Sequence, residues 1–147
     1  MSSPSVIVYR SRAVFAESDV DLFYLLAQAR ERNEFEGITG LLLYDRGHFY
    51  QWIEGEAPSL APVWDSIRRD WRHTDIEVLA DREIPFRLFT EWTMQFAHRD
   101  KAFLRLMDGF VEADPLLLEA LHTSPETAPR ILASFSRFDR FKTAWPI

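Results

Sequence analysis

The feature that most constrains the fold is a pair of apolar segments joined by a short loop. The first segment, GITGLLLYD (37–45), is almost continuously apolar between glycines, which is typical of a strand buried on both faces of a sheet. The loop DRG (45–47) predicts a tight hairpin, because Gly47 can adopt a positive φ angle. The returning segment, HFYQWIEG (48–55), is predicted to pair antiparallel with the first. A hairpin of this kind requires covering layers on both faces.

Other segments surround the hairpin in an order that predicts an α+β fold. A β-branched strand (5–11) comes first, and a helix follows it to about Arg32. A second helix is indicated by apolar residues at helical spacing, namely Leu60, Val63, Trp64, Ile67 and Trp71. Two further segments (74–84 and 90–97) are predicted to be strands. The order predicts a ferredoxin-like βαββαββ sheet with two helices on one face.

The chain after Arg99 has a different pattern, which predicts helices only. One apolar stripe is formed by Phe103, Leu106, Met107 and Phe110. Another helix is predicted to begin at Asp114-Pro115, because proline is tolerated at the first helical position. These helices need a surface, and the second face of the sheet is available, where they would also cover Trp52. We therefore expect residues 1–98 to form one domain and residues 99–147 a C-terminal helical extension.

Composition excludes several classes of protein. The 147 residues are 47% hydrophobic and 14% aromatic, which allows a sizeable core. A net charge of −6 argues against nucleic-acid binding. No apolar run reaches the roughly 18 residues of a membrane helix, and the N-terminus lacks a signal-peptide pattern, so we expect a cytoplasmic protein. Cysteine is absent and no metal-ligand spacing occurs, so we expect neither disulfides nor a bound metal.

Three polar side chains are predicted to lie between the sheet and its two helices. Side-chain alternation places Gln51 in the same row as Phe49 and Ile53. Tyr9 lies on one face of the first strand, and Asn33 ends the apolar stripe of the first helix. Leaving such a group unpaired costs about 1–3 kcal/mol. The three groups either satisfy one another and the backbone, or surround a bound polar heterocycle. Because no constellation of ordinary catalytic groups accompanies them, we expect no enzyme.

Five segments in order carry a resemblance to a known family. They are VYRS (8–11), RNEFEGITGLLLY (32–44), HFYQWIEG (48–55), RRDWRH (68–73) and RLFTEWTMQF (87–96). On these segments the chain resembles BLUF domains, the flavin-binding sensors of blue light, from residue 5 to about residue 98. The resemblance implies a blue-light photoreceptor with bound flavin. FAD is the usual ligand of the family, and FMN or riboflavin would also fit if the contacts stop at the ring.

The resemblance also implies roles for individual residues. Tyr9 corresponds to the photoactive tyrosine, and Gln51 to the glutamine whose rotation or tautomerisation rewires the hydrogen bonds among tyrosine, glutamine and flavin. Trp92 and Met94, on the last strand, correspond to a pair associated with signalling, whereas no firm role is implied for Arg32. Further flavin-binding positions are Ser11, Asn33, Ile38, Asp70, Arg72 and His73. As an alternative, His73 can interact with the dipole at the C-terminal end of the second helix.

The signal requires a receiver, and the tail is too short to be an output enzyme. The resemblance therefore implies a stand-alone sensor that signals through its last strand and C-terminal helices to an unidentified downstream protein. The aromatic segment 131–145 is the candidate contact surface, and similarity implies a homodimer or larger homo-oligomer.

Two other classes of function remain open at this point. One is a light-independent, ferredoxin-like metabolite-binding regulator or small hydrolase, although the turn RSRAVFAES (10–18) offers arginines without a glycine-rich cradle. The other is a structural protein-binding module, which leaves Tyr9, Asn33 and Gln51 unexplained. Only the photoreceptor predicts a yellow protein.

Overall fold

The computed structural model describes residues 3–14, 19–91, 93–99 and 108–136, which form a mixed sheet with helices on both faces. In chain order the elements are β1 (Ser5–Ala13), α1 (Asp19–Glu36), β2 (Thr39–Asp45), β3 (His48–Gly55), α2 (Ala57–Arg68), β4 (His73–Glu83), β5 (Gln95–His98), β6 (Phe110–Glu112), α3 (Pro115–Thr123), a short 3-10 helix (Pro125–Thr127) and α4 (Ala128–Ala133). The α+β, ferredoxin-like prediction is confirmed. Within the described ranges, no helix is both long and apolar enough to cross a membrane.

The six strands lie in the order β4-β1-β3-β2-β5-β6. The β2–β3 hairpin turns through Arg46 and Gly47, whose φ angles of 48° and 80° are those of a two-residue type I′ turn. Strand β1 pairs antiparallel with β3, and their register aligns Tyr9 with Gln51. Strand β5 lies parallel to β2 on the other side of the hairpin. The two residues singled out from the sequence therefore meet at the centre of the sheet.

Side-chain alternation divides the core into two layers, one on each face of the sheet. The layer on the side of α1 and α2 contains Ile7, Tyr9, Leu42, Phe49 and Ile53 from the strands, with Leu22, Leu26, Leu60, Val63 and Ile67 from the helices. The other layer packs Val8, Leu41, Leu43, Tyr50 and Trp52 against Leu118, Leu121, Ala128 and Leu132 of the tail. Trp52 is fully buried there, so the expected covering of this residue by the C-terminal helices is confirmed.

The fifth strand begins later than the sequence predicted, at Gln95 rather than at residue 90. The preceding segment bonds to side chains instead of to a neighbouring strand. The backbone N–H groups of Leu88 and Phe89 donate to the carboxylate of Glu54. The carbonyl of Met94 accepts from Arg30. Met94 therefore precedes β5 and does not lie on it, and Trp92 lies outside the described residues.

Two other predictions were wrong. The tail is not helical throughout, because Phe110 belongs to β6, which pairs parallel with β5 and extends the hydrogen-bonded sheet beyond it. Trp71 does not lie on α2, which ends at Arg68. The chain turns there, since Asp70 accepts a hydrogen bond from the backbone N–H of Arg72, and Trp71 is exposed. Residues 100–107 and 137–147, which include parts of the predicted apolar stripe and contact surface, lie outside the described residues.

Candidate functional site

A cavity of about 260 Å³ opens between the sheet and helices α1 and α2. Its wall is apolar where Leu25, Ala29, Leu42, Phe49 and Ile67 line it. Its polar lining consists of Tyr9, Gln28, Arg32, Gln51, Ser66, Asp70, Arg72 and His73. A mostly pre-formed cleft with a few converging polar groups is the usual form of a small-molecule site.

Tyr9 and Gln51 form the central polar pair of the cavity. The phenol O–H of Tyr9 donates a hydrogen bond to Oε1 of Gln51, and both side chains are buried. On its other side, Gln51 Nε2 donates to Met94 Sδ at 3.5 Å. A thioether sulfur is a weak acceptor, and within the described part of the chain no stronger acceptor contacts this nitrogen. The amide therefore has one strong bond through oxygen and one weak bond through nitrogen.

The surroundings of Tyr9 keep its phenol neutral. Burial raises the pKa of Tyr9 above its ordinary value, while the charge of Arg32 acts in the opposite direction and that of Asp70 adds to the rise. The ring also lies against Trp64, with centroids 5.3 Å apart. Tyr9 is thus a hydrogen-bond donor at neutral pH rather than a phenolate.

His73 joins the end of α2 to strand β1. Its Nε2 lies 2.7 Å from the carbonyl oxygen of Ile67, and its Nδ1 lies 2.6 Å from Ser11 Oγ. A carbonyl can only accept, so Nε2 carries a proton, and in the neutral ring Nδ1 accepts from the Ser11 hydroxyl. His73 therefore lines the cavity and also bonds the C-terminal end of the helix, the alternative raised from the sequence.

Charged side chains ring another part of the cavity. Arg72 donates to both carboxylate oxygens of Asp70, at 2.6–3.1 Å, and to Gln28 Oε1 at 2.8 Å. Burial alone would raise the pKa of Asp70, but the hydrogen bonds from Arg72 outweigh it and lower that pKa. Arg32 donates to the neutral amide of Asn33 at 3.3 Å. Two guanidinium groups and one carboxylate thus leave this rim with a net positive charge.

Of the site residues predicted from the sequence, Tyr9, Gln51, Asp70, Arg72 and His73 line the cavity. Four others are buried and do not line the cavity: Ser11, Asn33, Ile38 and Met94. Asn33 is fully buried at the end of α1, and its Nδ2 donates to the carbonyl oxygen of Thr93 at 2.9 Å. Trp92 is outside the described residues.

Sequence reasoning missed three polar residues of the lining, Gln28, Arg32 and Ser66. The signal for Arg32 was present, because Leu25, Ala29 and Arg32 follow one another at helical spacings of four and three. The apolar stripe of the first helix predicted Asn33 at this position instead.

The fold and the cavity define a ferredoxin-like domain with a ligand site between its sheet and two helices. A family model described as BLUF, sensors of blue-light using FAD, matches residues 5–95. The match covers more than half of the chain, and the chain belongs to the BLUF family. It is therefore a flavin-binding sensor of blue light, and the light-independent regulator or hydrolase is not favoured.

Individual relatives agree with this assignment. Photoactivated adenylate cyclase subunit beta of Euglena longa is 35% identical over 97 residues, which are 65% of this chain and 11% of that protein. The blue light- and temperature-regulated antirepressor BluF of Escherichia coli (strain K12) is 29% identical over 91 residues, or 62% of this chain and 23% of that protein. The chain thus spans a small part of the curated relatives that it matches.

Solved structures of similar size also match. BlrB, a BLUF protein in its dark state, superposes with a TM-score of 0.72 at 29% identity, covering 91% of this chain and 98% of that chain. BlsA in its ground state gives a TM-score of 0.63 at 28% identity, covering 85% of this chain and 87% of that chain.

The residues of the cavity fit a flavin. The strongest indication is the Gln51 amide nitrogen, a buried donor whose described acceptor is a thioether and which would bond better to a ring carbonyl. The apolar wall suits an aromatic ring system, and the positive rim formed by Arg32 and Arg72 suits the phosphate of a flavin nucleotide.

Proposed function

We propose that light sensing in this chain depends on a hydrogen-bond switch formed by Tyr9 and Gln51. The observation that supports it most is the asymmetric bonding of the Gln51 amide, strong through Oε1 to Tyr9 and weak through Nε2 to Met94. When such an amide exchanges its two ends, the bond to Met94 that is given up is weak, and the bond with Tyr9 is replaced by one from Nε2 to the phenol oxygen.

A bound flavin supplies absorption of blue light and a strongly oxidising excited state. Tyr9 is the side chain of the cavity suited to give up an electron, and its proton has an acceptor in Gln51 Oε1. Because burial raises the pKa of Tyr9, the phenol enters the reaction with its proton in place. Proton and electron can therefore leave the tyrosine together, the proton towards Gln51 Oε1 and the electron towards the flavin, and both return to Tyr9 once Gln51 has rearranged.

Gln51 then rearranges by rotation or by tautomerisation. Rotation turns the Nε2 donor towards Tyr9 and Oε1 towards Met94, whereas tautomerisation in place converts Oε1 into a hydroxyl donor that faces Tyr9. The change breaks no covalent bond, so the original bonding can return in darkness. The Ser11–His73–Ile67 chain holds β1 against the end of α2 and keeps the tyrosine ring in place during this exchange.

FAD is the flavin that we assign to the site, in agreement with the description of the family. Arg32 and Arg72 provide the positive charge that a nucleotide phosphate requires, while Asp70 is available to a ribityl hydroxyl. Arg32→Gln is expected to weaken binding of FAD and FMN to the flavin-free protein more than binding of riboflavin. Equal weakening of all three would contradict this assignment of Arg32.

The output of the switch is assigned to protein contacts rather than to catalysis. We assign residues 1–98 to the sensor and residues 99–147 to an extension that carries the signal to a separate cytoplasmic protein. The family match supports the boundary of the sensor, since it ends at residue 95. Similarity to the family also supports a homodimer or larger homo-oligomer.

The experiment is a visible spectrum of the purified protein in darkness, after blue light and during recovery. We expect a flavin spectrum that shifts slightly to the red and returns, and that no longer shifts in Gln51→Leu. Gln95→Leu, at the strand beyond Met94, is the matched control and should keep the shift. A flavin-loaded Gln51→Leu protein whose spectrum shifts like that of the wild type would refute the proposed switch.

A further inference from the structure

A buried carboxylate lies at the end of β2, outside the flavin cavity. The side chain of Asp45 is 2% exposed. Arg99 donates to it through Nε, 2.6 Å from Oδ1, and through a terminal nitrogen, 2.7 Å from Oδ2. His122 Nε2 lies 2.7 Å from the same Oδ2. One carboxylate thus holds two side chains that are 54 and 77 residues away in the chain.

The two partners of Asp45 come from elements with different roles. Arg99 directly follows β5, and Met94 directly precedes that strand. Five residue steps along an extended strand span about 17 Å, so β5 joins the sulfur that contacts Gln51 to the guanidinium that contacts Asp45. His122 lies on α3, whose Leu118 and Leu121 cover the second face of the sheet.

His122 also fastens α3 to the central strand. Its Nδ1 lies 3.2 Å from the hydroxyl of Tyr50, which is adjacent to Gln51 in β3 and points to the opposite face. Because a carboxylate only accepts, His122 Nε2 is the donor to Asp45. In the neutral imidazole, Nδ1 is then free to accept from Tyr50. Helix α3 is therefore held by β2 and β3 through one imidazole ring.

We propose that Asp45 is a positioning residue that couples strand β5 to helix α3, so that the tail follows the position of β5. The coupling rests on the proposed function, since the movement of β5 begins at the contact between Gln51 and Met94. Arg99 and His122 share Oδ2, so a movement of Arg99 with β5 rotates the carboxylate and changes the bond to His122. The carboxylate is buried, and its partners therefore cannot be replaced by water without a cost.

The test measures amide hydrogen exchange of residues 115–133 in the flavin-loaded protein, in darkness and under blue light. In the wild type we expect a light-minus-dark difference in this segment. In Asp45→Asn the difference should fall at least about five-fold, the lower end of usual coupling between sites, while the red shift of the flavin persists. Glu119→Gln is the matched control on α3, since it removes the exposed ion pair with Arg46 and leaves the hydrogen bonds to Asp45 in place, and it should keep both signals.

A second pair of variants covers the case in which Asp45→Asn fails to fold. The cluster of Asp45, Arg99 and His122 forms a junction between β5 and α3. Arg99→Gln interrupts this junction from the side of β5, and His122→Gln interrupts it from the side of α3. Each variant should abolish most of the light-dependent exchange in the tail. The double variant Arg99→Gln/His122→Gln should lose no more of it than either single variant, because both substitutions break the same connection through Asp45. Additive losses would overturn the proposal.

A flavin-free measurement separates this proposal from the photochemistry. In the flavin-free protein in darkness, residues 115–133 should exchange faster in Asp45→Asn than in Glu119→Gln. A normal red shift with wild-type light response of the tail in Asp45→Asn would refute the coupling and leave the Tyr9–Gln51 switch intact. A wild-type protein without any red shift would refute the switch, and with it the source of the movement of β5.

Discussion

Strand β3 holds two buried polar side chains three positions apart, and their surroundings differ. Gln51 has one strong described hydrogen bond, from Tyr9, and one weak bond, to a sulfur. Glu54 accepts four bonds of 2.8–2.9 Å, from Trp52 Nε1, Thr39 Oγ1 and the backbone N–H groups of Leu88 and Phe89. The first environment allows exchange of partners, whereas the second fixes them.

The difference is consistent with a small domain in which the proposed switch at Gln51 lies beside a stable frame around Glu54. Glu54 fastens the segment before β5 to the central strand, so the chain that leads to Met94 has a fixed starting point. Gln51 contacts the far end of that segment through a bond weak enough to lose. A rearrangement at Gln51 can therefore act on Met94 without loosening the sheet.

The largest effect on stability is expected when the hydrogen bonds of Glu54 are altered. Glu54→Gln replaces an acceptor oxygen with a donor nitrogen and leaves one or two buried N–H groups unpaired, at a cost of about 2–4 kcal/mol. The free energy of unfolding in urea measures this loss. Glu83→Gln, at an exposed position of β4, is the control and should change it by less than about 0.5 kcal/mol. Equal stability of the two variants would remove the distinction between the regions.

The next effect concerns pH and the Asp45 junction. Burial alone would raise the pKa of Asp45, but the bonds from Arg99 and His122 lower it. A carboxyl whose pKa is lower in the folded protein stabilises above its unfolded value of about 3.8, and this stabilisation is lost as the pH falls through the folded value. At pH 7, Asp45→Asn should cost about 1.5–3 kcal/mol, the usual range for hydrogen bonds to a charged group.

This stability difference between the wild type and Asp45→Asn should shrink as the pH is lowered below about 3.8. Urea unfolding of both proteins at several pH values measures it. A difference that stays constant from pH 7 to pH 3 would mean that the carboxylate charge contributes nothing to the junction.

The two central tyrosines provide a smaller and matched comparison. Tyr9→Phe and Tyr50→Phe each remove a buried hydroxyl from one face of the sheet, and each should cost about 1 kcal/mol of stability. Their effects on light should separate completely. Tyr9→Phe is expected to lose the red shift, and Tyr50→Phe to keep it, since Tyr50 bonds to the tail. Loss of the shift in both variants would locate the requirement in the sheet rather than in the cavity.

The smallest effect is expected at Met94. Met94→Leu conserves volume and removes only the weak sulfur acceptor of Gln51, so the stability should change by less than about 1.5 kcal/mol. Calorimetry of the flavin-free protein tests this, with Phe96→Leu as a control for volume loss at a nearby fully buried position. A loss as large as that of Glu54→Gln would show that Met94 belongs to the fixed frame.

Local patterns in the sequence were sufficient for much of the fold. The hairpin follows from the positive φ at Gly47, and the position of Tyr9 and Gln51 on the face towards the helices follows from side-chain alternation. Covering of Trp52 by the tail follows from the need to bury an apolar face. These features depend on neighbours in the chain or on the simple division of a strand into two faces.

Contacts between distant side chains could not be predicted in this way. The late start of β5 depends on Glu54, 34 residues before Leu88. The junction at Asp45 depends on pairs separated by 54 and 77 residues. Arg32 lines the cavity because of the direction in which α1 turns this side chain. The sequence pattern pointed to its neighbour Asn33 instead.

The proposed switch requires a change in the bonding of Gln51 itself. The chain contains three glutamines, Gln28, Gln51 and Gln95, so side-chain isotope labelling of glutamine gives few signals in a light-minus-dark infrared spectrum. We predict a label-sensitive amide band that shifts on illumination, persists in Gln28→Leu and Gln95→Leu, and disappears in Gln51→Leu. A red shift of the flavin without any label-sensitive glutamine band would contradict the switch.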